Sequence, residues 1–463
     1  MIDSMSTDLL LEELPADIVI TDPDVVASYA SDQSQFTPTA LPRAVVTPRT
    51  TDEVAACLRT AHRLGIAVVT RGAGSGLSGA ANPPAGAVVL STHKMTAIRE
   101  FDVANRLIVV EPGVITANLR AHVQQAGLHY PPDPGSVGFC TIGGNVATNA
   151  GGMCCVKYGV TGDFVIAMES VLPDGRVMRT GRRTIKGVAG YDLTSLLVGS
   201  EGTLAVITEI TLRLLPAPPP AQTLVATFPT LTGAGETVAA IAAAGITPSM
   251  LEILDRTTVR AVNDLTRMGI AENTEALLLI QHDGVDAGTA LEQIETLCAT
   301  HGADDIVASS DPTEADMLLE ARRQALPALE KLGDWLLDDV CVPCSRITDL
   351  ITAIDAIAQR SGLTIGVFGH AGDGNLHPTI IYNRDDPDSA AATLTAFNAI
   401  TRAALELGGT ITGEHGVGRL KADWLTAELD PVAQSVHRTV KNAIDPLGIL
   451  NPGAVLTPGA SPS

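Results

Sequence analysis

The pattern of apolar and polar positions near the N-terminus predicts a parallel β-α-β unit. The run RAVVTP (residues 43–48) is typical of a strand. Thr50 and Glu53 have the spacing of a capping box, which opens a helix with apolar residues on one face until Gly65 ends it. The run IAVVTR (residues 66–71) is the second strand, and a crossover between parallel strands is right-handed.

A proline-rich stretch, PAPPPAQ (residues 216–222), marks a domain boundary. Four of its first five residues are prolines, which exclude helix and sheet. Before it, alternating apolar and polar positions from Glu201 onward predict a half-buried strand. After it, helices and strands are mixed. Helical patterns lie near residues 235–244, 288–300 and 348–360, and strands near 276–281 and 364–369.

Length and charge narrow the class of protein. A chain of 463 residues is too long for one ordinary core, so two or three domains are expected. The 30 basic and 52 acidic residues give a net charge of −22, which argues against nucleic acid or an anionic membrane surface as partner. An anionic substrate would therefore need positive charge supplied locally by its binding site.

We expect a cytoplasmic protein from the start of the chain, its lack of long apolar runs and its cysteines. The start, MIDSMSTDLLLEELP, has acidic residues where a signal peptide has a basic region. No apolar run approaches the roughly 18 residues that span a bilayer, so no transmembrane segment is expected. Seven cysteines, an odd number, fit reduced thiols better than a disulfide framework.

A glycine-rich loop, RGAGSGLSGAANPP, follows the second strand and contains G-x-G-x-x-G. We reject an NAD site, because Pro83 and Pro84 stop the helix that must begin there and no acidic residue follows at the required distance. A loop whose backbone N–H groups converge on an anion remains, with Arg71 and Ser75 as further donors. The alternative is a glycine-rich turn without a ligand.

Two later blocks favour the ligand-binding interpretation. PPDPGSVGFCTIGGNVATNAGG (residues 131–152) is a long, nearly uncharged stretch, and structureless loops of this length usually bind something. GYDLTSLLVGSEGTLAVITE (residues 190–209) repeats the abundance of small residues before a strand.

The segment TIGVFGHAGDGNLHPTIIY (residues 364–382) is predicted to be a hairpin with its tip near Asp373 and Gly374. His370 and His377 are then equidistant from the tip and face each other, with Cβ atoms about 4.5–5.5 Å apart. Both imidazoles could reach one metal at about 2.0–2.1 Å. The alternative is ordinary polar decoration of a hairpin edge.

A second glycine-rich loop, GGTITGEHGVGRLK, offers a third ligand. Glu414 and His415 stand between Gly413 and Gly416. In extended backbone, neighbouring side chains point to opposite sides, so one could coordinate metal while the other faces a substrate.

Two further motifs allow more than one interpretation. Arg322 and Arg323 are adjacent in a helical pattern that Pro327 interrupts. They are either solvated arginines on a helix face or a binding site for a carboxylate. The forked guanidinium group suits a carboxylate well. The pair Cys341 and Cys344 fits C-x-x-C, but no βαβ pattern surrounds it, so we interpret it as structural.

The three glycine-rich blocks, in this order and spacing, resemble the FAD domain of the vanillyl-alcohol oxidase / p-cresol methylhydroxylase (PCMH) superfamily. The resemblance covers nearly the whole chain and is strongest to the branch that holds the D subunit of glycolate oxidase, cytochrome-type D-lactate dehydrogenase and D-2-hydroxyglutarate dehydrogenase. It implies an α+β fold: a PCMH-type FAD-binding domain of two α/β subdomains (residues 1–216), an α+β substrate (cap) domain with an antiparallel sheet (217–425), and a C-terminal segment (426–463) packing back on the FAD domain.

The resemblance also implies the site residues. Ser75 stands in the loop where some members attach the flavin through a histidine, so FAD is expected without a covalent link. His370, His377 and Glu414 match the ligands of a divalent metal, zinc or manganese. His415 matches the catalytic, substrate-binding histidine, and Arg322 the arginine that binds the substrate carboxylate. The residues expected to bind FAD are Arg71, Gly72, Gly74, Ser75, Gly76, Leu77, Ser78, Gly79, Pro132, Asp133, Ser136, Thr141, Ile142, Gly144, Asn145, Asn149, Gly152, Glu201, Gly202, Ile207 and Asn451.

The function implied is FAD-dependent, metal-assisted oxidation of a D-2-hydroxy acid, of the glycolate or D-lactate type, with hydride passing from Cα to flavin N5. The electron acceptor is open between a partner subunit, a quinone and an electron-transfer protein, and a homodimer is also open. A D-2-hydroxyglutarate dehydrogenase is the alternative, disfavoured because those enzymes usually carry Asn where this chain has Thr379. More distant alternatives are a flavin-binding sensor, which needs neither Glu414 nor His415, and a metal-dependent hydrolase, which does not need the glycine-rich blocks.

Overall fold

The structure is a computed structural model that describes residues 13–457. The chain forms two compact units. The first comprises Met1–Gly151, Val160–Ala217 and His415–Ser463, and the second comprises Gly152–Gly159 and Pro218–Glu414. These units differ from the predicted domain limits at residues 152–159, 217 and 415–425. The predicted limits stay a prediction.

The secondary structure follows in chain order. The strands are β1 (Val19–Ile20), β2 (Ala44–Val46), β3 (Val68–Arg71), β4 (Val88–Ser91), β5 (Ile98–Asp102), β6 (Leu107–Val110), β7 (Leu128–His129), β8 (Val165–Val171), β9 (Val177–Gly181), β10 (Val206–Arg213), β11 (Leu215–Pro216), β12 (Gln222–Phe228), β13 (Met250–Asp255), β14 (Ala276–His282), β15 (Asp305–Ser309), β16 (Asp334–Leu337), β17 (Val340–Cys341), β18 (Thr364–His370) and β19 (Asn375–Tyr382). The helices are α1 (Pro23–Ala27), α2 (Thr51–Leu64), α3 (Thr116–Gln124), α4 (Ile142–Thr148), α5 (Cys155–Tyr158), α6 (Leu193–Leu197), α7 (Leu231–Ala243), α8 (Arg256–Thr266), α9 (Ala287–Thr300), α10 (Pro312–Arg323), α11 (Ala325–Glu330), α12 (Ile347–Ser361), α13 (Pro387–Glu406), α14 (Ala422–Glu428) and α15 (Pro431–Ile444), with 3₁₀ turns at Ala16–Ile18, Thr161–Phe164 and Cys344–Arg346.

The predicted β-α-β unit forms β2, α2 and β3 of the first unit. The Thr50 side chain accepts a hydrogen bond from the Glu53 N–H (3.2 Å), and Gly65 ends the helix with a φ of 65°. The strand order is β1-β2-β4-β3, with β2 and β3 each parallel to β4. The two predicted strands are therefore parallel but not adjacent, because β4 lies between them. The buried face of α2, including Val54 and Leu58, packs on this sheet.

The second sheet of the first unit is antiparallel, with strand order β5-β6-β10-β8-β9. Strand β10 was predicted to be half-buried but is almost entirely buried, because it is the central strand. The prediction that residues 216–222 exclude sheet was also wrong at both ends of the segment, since Gln222 begins β12 and Pro216 ends β11. Pro216 lies opposite Leu128 in a short antiparallel pair, an edge position where proline is tolerated.

The second unit is built on one antiparallel sheet, with order β15-β12-β14-β13-β18-β19-β16 and β17 also paired to β19. The predicted helices appear as α7, α9 and α12, and the predicted strands as β14 and β18. In α12, the residues Ile347, Leu350, Ile351, Ile354 and Ile357 form the buried face that the helical period predicts. The sheet and its helices make the core that supports the hairpin β18–β19.

The hairpin has a different register from the one predicted. His370 pairs with Asn375, and His377 pairs with Phe368. The tip is therefore the four-residue turn of residues 371–374, and the histidines are diagonal neighbours rather than directly opposite. Diagonal residues two positions apart still share a face of the sheet, so the imidazoles can meet.

Candidate active site

The three glycine-rich blocks come together in the first unit. A Cβ placed on Gly72 would lie 2.4 Å from Thr141 Oγ1, so the first loop lies directly against the second block. The Glu201 N–H donates to the Ala147 carbonyl (2.8 Å), which joins the third block to the second. Segments far apart in sequence thus line one region beyond the end of β3.

The backbone of the first loop is suited to an anion. Among residues 13–457, no acceptor receives a hydrogen bond from the backbone N–H groups of residues 73–78. Gly74 has a φ of 72°, and a Cβ there would lie 2.1 Å from Arg71 Nη2, so a side chain is excluded. The Arg71 Nη1 donates to the Ser31 carbonyl (2.9 Å). A loop of unused N–H groups without side-chain bulk fits the pyrophosphate of a dinucleotide.

The second block contains a short helix, so the prediction of a structureless loop was wrong over α4. Thr141 caps this helix by accepting a hydrogen bond from the Gly144 N–H (3.2 Å). Asn145 donates to Thr116 Oγ1 (2.7 Å), and Asn149 ends the helix with a φ of 53°. Of the predicted FAD residues, Gly152 alone falls in the second unit.

The third block anchors the segment that follows His415. Both carboxylate oxygens of Glu201 accept hydrogen bonds, from the N–H groups of Val417 and Gly418 (2.8 Å each). Burial raises the pKa of Glu201 to about 7, although these two bonds oppose the shift. The Ser78 hydroxyl also donates to the His415 carbonyl (3.1 Å). The loops predicted to hold FAD therefore also hold the backbone of the predicted catalytic histidine.

Asn451 and Ile207 complete the predicted set. The Asn451 amide donates to the carbonyls of Ala80 and Glu201 (2.8 Å each), so it joins the first and third blocks. Ile207 is buried in β10.

The second unit brings the three predicted metal ligands together. The Nε2 atoms of His370 and His377 are 3.3 Å apart, and Glu414 Oε1 lies 3.4 Å from the first and 3.3 Å from the second. Ligand atoms on a tetrahedron with bonds of about 2.0–2.1 Å are about 3.3–3.4 Å apart. Three donor atoms at this spacing could hold a tetrahedral metal ion and leave its fourth position to another group.

A buried carboxylate that we did not predict orients His370. The His370 Nδ1 lies 2.6 Å from Glu252 Oε1, and Glu252 is 0% exposed. Burial alone would raise the pKa of Glu252 and lower that of His370. The attraction between the two groups reverses both shifts. The pKa of Glu252 lies below its usual value, with Arg322 adding to the effect, and the pKa of His370 lies well above its usual value, with Glu414 adding to the effect. The sequence signal was an acidic residue inside the apolar strand MLEILD (β13).

A second unpredicted carboxylate, Asp339, shapes the loop that carries Glu414. Asp339 Oδ2 accepts hydrogen bonds from the Thr412 hydroxyl (2.6 Å) and from the N–H groups of Gly413 (2.9 Å) and Glu414 (3.0 Å). Asp339 Oδ1 lies 3.7 Å from His377 Nδ1. One buried acid therefore fixes the backbone of one ligand and lies beside the ring of another.

The structure distinguishes the two adjacent arginines. The Arg322 side chain is 13% exposed, its Nε donates to Glu252 Oε2, and its guanidinium lies 4.8 Å from the centre of the Phe368 ring. Arg323 is 44% exposed and pairs with Asp316 and Glu320. Arg322 thus belongs to the buried cluster, whereas Arg323 is an ordinary helix-face arginine.

The remaining predicted features are the segment of Glu414 and His415 and the cysteine pair. The chain passes from the second unit to the first between Glu414 and His415, and residues 413–415 form a bend rather than the extended backbone that was expected. The thiols of Cys341 and Cys344 donate to the carbonyls of Asp373 and Gly372 (3.4 Å each), which holds the hairpin tip. All seven cysteines lie within residues 13–457, and none of them forms a disulfide.

A glycine-rich loop suited to an anion and a cluster of two histidines and a carboxylate fit a cofactor-dependent enzyme, and the family matches make it a flavoprotein oxidoreductase. The chain belongs to the FAD-linked oxidase family. Residues 217–455 match the family described as FAD linked oxidases, C-terminal domain, and residues 42–181 match the FAD binding domain. FAD as cofactor, the enzyme class and the family resemblance are thereby confirmed, and the flavin sensor and hydrolase alternatives are set aside.

Curated relatives align over most of the chain. Glycolate oxidase subunit GlcD of Bacillus subtilis is 42% identical over 91% of this chain and 90% of its own length. The mitochondrial D-lactate dehydrogenase [cytochrome] of Arabidopsis thaliana is 33% identical over 97% of this chain and 79% of its own. The crystal structure of p-cresol methylhydroxylase with substrate bound gives a TM-score of 0.81 at 18% identity, covering 98% of this chain and 97% of that one. This likeness confirms the α+β, PCMH-type fold. Within residues 13–457, no helix is long and apolar enough to cross a membrane.

Proposed function

We propose that this protein oxidises a small D-2-hydroxy acid, of the glycolate or D-lactate type, to the 2-keto acid with FAD and a divalent metal. The observation that carries the proposal is the pairing of Arg322 with the His370 cluster through Glu252. A guanidinium and a three-ligand metal site side by side suit a carboxylate and its neighbouring hydroxyl. The relatives named glycolate oxidase subunit and D-lactate dehydrogenase support the same substrate class.

The residues present fit both cofactors. The glycine-rich blocks of the first unit would hold FAD, and His370, His377 and Glu414 would hold zinc or manganese. When bound, FAD supplies the two-electron acceptor and the metal supplies Lewis-acid polarisation of the substrate hydroxyl.

The chain's own residues supply binding and proton transfer. Arg322 binds the substrate carboxylate through the guanidinium nitrogens that Glu252 does not use. Oxidation of a 2-hydroxy acid removes a hydride from C2, which bound FAD would accept, and a proton from the hydroxyl oxygen. An imidazole nitrogen of His415 takes that proton as general base. Because the net charge of the chain is −22, an anionic substrate needs a cation in its binding site, and Arg322 would supply it.

The side chain of Thr379 favours a substrate with one carboxylate. Thr379 is 0% exposed and its hydroxyl donates to the His377 carbonyl (3.4 Å), so it offers no donor for a second carboxylate. D-2-hydroxyglutarate is therefore the less favoured substrate. A partner subunit, a quinone or an electron-transfer protein would take the electrons onward in the cytoplasm. A homodimer fits the proposal equally well.

The Arg322→Ala enzyme is expected to show a KM for 2-hydroxy acids that is tens- to hundreds-fold higher. Losing a charge-assisted contact to the substrate carboxylate costs about 2–4 kcal/mol. Arg323→Ala is the matched control, because Arg323 pairs only with exposed acids of its own helix. Steady-state kinetics of the two variants test the proposal. A normal KM for Arg322→Ala would move the carboxylate site elsewhere.

FAD is expected to be bound without a covalent link, because the first loop has Ser75 where a histidine would be needed. Acid precipitation should release all the yellow colour into the supernatant. Absorption at flavin wavelengths that stays with the pellet would contradict this prediction.

A further inference from the structure

Glu252 occupies an unusual position between two functional groups of the second unit. It lies in β13 and is fully buried, at 0% exposure. Oε1 is 2.6 Å from His370 Nδ1, and Oε2 accepts a hydrogen bond from Arg322 Nε. One carboxylate therefore contacts both a predicted metal ligand and the predicted substrate-binding arginine, neither of which is near it in sequence.

The chemistry of this position requires a carboxylate. Both partners are donors, and a carboxylate accepts hydrogen bonds on both oxygens, whereas an amide has one accepting oxygen and one donating NH₂ group. A bond from Nδ1–H to Glu252 places the imidazole proton on Nδ1. The lone pair of Nε2 then faces His377 and Glu414, which is the tautomer that a metal requires.

We propose that Glu252 is a positioning residue that holds the metal-binding tautomer of His370 and the guanidinium of Arg322 together. Metal affinity and carboxylate binding then depend on one buried side chain. The inference rests on the proposed function, since it assigns a role towards the metal and the substrate of that same site.

A purely structural ion pair would give a different mutational result. In Glu252→Gln, the permanently charged Arg322 takes the amide oxygen and the NH₂ group turns towards His370 Nδ1. The imidazole proton of His370 then moves to Nε2, which lies 3.3 Å from His377 Nε2. A protonated Nε2 has no lone pair to offer a metal. Loss of such a supporting partner typically costs about 10- to 100-fold in metal affinity.

A second substitution is expected to reverse this loss. In the double variant E252Q/R322M, no arginine competes for the amide oxygen, so the oxygen is free to accept from His370 Nδ1. The metal-binding tautomer returns, and zinc affinity should recover to within about tenfold of the parent. A merely destabilising substitution would not be rescued by removing a second buried partner.

The experiment measures zinc affinity by titrating zinc chloride into the full-length, flavin-loaded protein, stripped of metal, in competition with a chromophoric chelator. KM and kcat for glycolate and D-lactate are measured on the same samples. The matched control is Glu236→Gln, which alters an exposed glutamate that lies 3.2 Å from the ring of His301. Circular dichroism reports the folding of the whole chain for every variant, and flavin absorbance reports the folding of the first unit. We expect weaker zinc binding and a raised KM in Glu252→Gln alone, with zinc affinity recovering in the double variant.

The outcomes separate the inference from the function beneath it. A parent protein that binds no zinc would overturn the proposed metal site itself. A parent that binds zinc tightly, with Glu252→Gln and the control equal to it, would overturn only the role of Glu252. If Glu252→Gln loses its flavin, E252Q/R322M is compared with R322M. Similar zinc affinities support the proposal, and a loss beyond about tenfold in the double variant contradicts it.

Discussion

The His377→Ala enzyme is expected to lose its metal and its turnover together while it keeps its flavin. His377 Nε2 lies 3.3 Å from each of the other two donor atoms, so its removal leaves two ligands where catalytic sites use three. Lewis-acid assistance contributes several kcal/mol, and its loss should slow turnover at least about a hundredfold.

The flavin is expected to be unaffected because the two cofactors have separate ligands. The glycine-rich loops belong mainly to the first unit, whereas His370, His377 and Glu414 belong to the second. Metal analysis and flavin absorbance on the same sample check this, with His301→Ala as the control histidine of the same unit. A metal-free His377→Ala enzyme with the parent's turnover would show that the hairpin histidines are structural.

The His415→Asn enzyme is expected to keep both metal and flavin but to reduce its flavin about 10²–10⁴-fold more slowly, the usual cost of removing a general base. The backbone around this residue is held through the His415 carbonyl by Ser78 and through the following N–H groups by Glu201, so asparagine should leave the loop in place. A residual rate is expected, because the proposed metal would still polarise the hydroxyl.

Stopped-flow flavin reduction without oxygen measures this effect apart from the second half-reaction. His437→Asn is the control, since His437 is exposed on α15 of the same unit. A rate for His415→Asn within about threefold of the parent would transfer the role of base to another residue, because a general base contributes far more than that.

Local sequence signals predicted much of the secondary structure of the second unit and pointed to its candidate ligands. Helical periodicity located α12, and glycine-flanked histidines located the hairpin, because these features depend on neighbouring residues. The pair Glu414–His415 was found for the same reason. The helices and strands that were predicted correctly have long or regular hydrophobic patterns.

Long-range features could not be found in this way. Glu252 is 118 residues from His370, and Asp339 is 75 residues from Glu414, so only the folded sheet brings them together. The insertion of β4 between β2 and β3 has the same origin, since strand order is a tertiary property. The predicted centre of the hairpin turn was wrong by one residue. The two histidines are therefore diagonal neighbours and not directly opposite each other.

Single-turnover flavin reduction without oxygen, before and after metal removal, tests the central claim most directly. The parent enzyme is mixed with glycolate, D-lactate or D-2-hydroxyglutarate while the flavin absorption is followed. We predict bleaching with glycolate or D-lactate, loss of that bleaching after chelation, and its return when zinc or manganese is added. Absence of bleaching with every 2-hydroxy acid, or bleaching at the same rate in the metal-stripped enzyme, would contradict the proposed function.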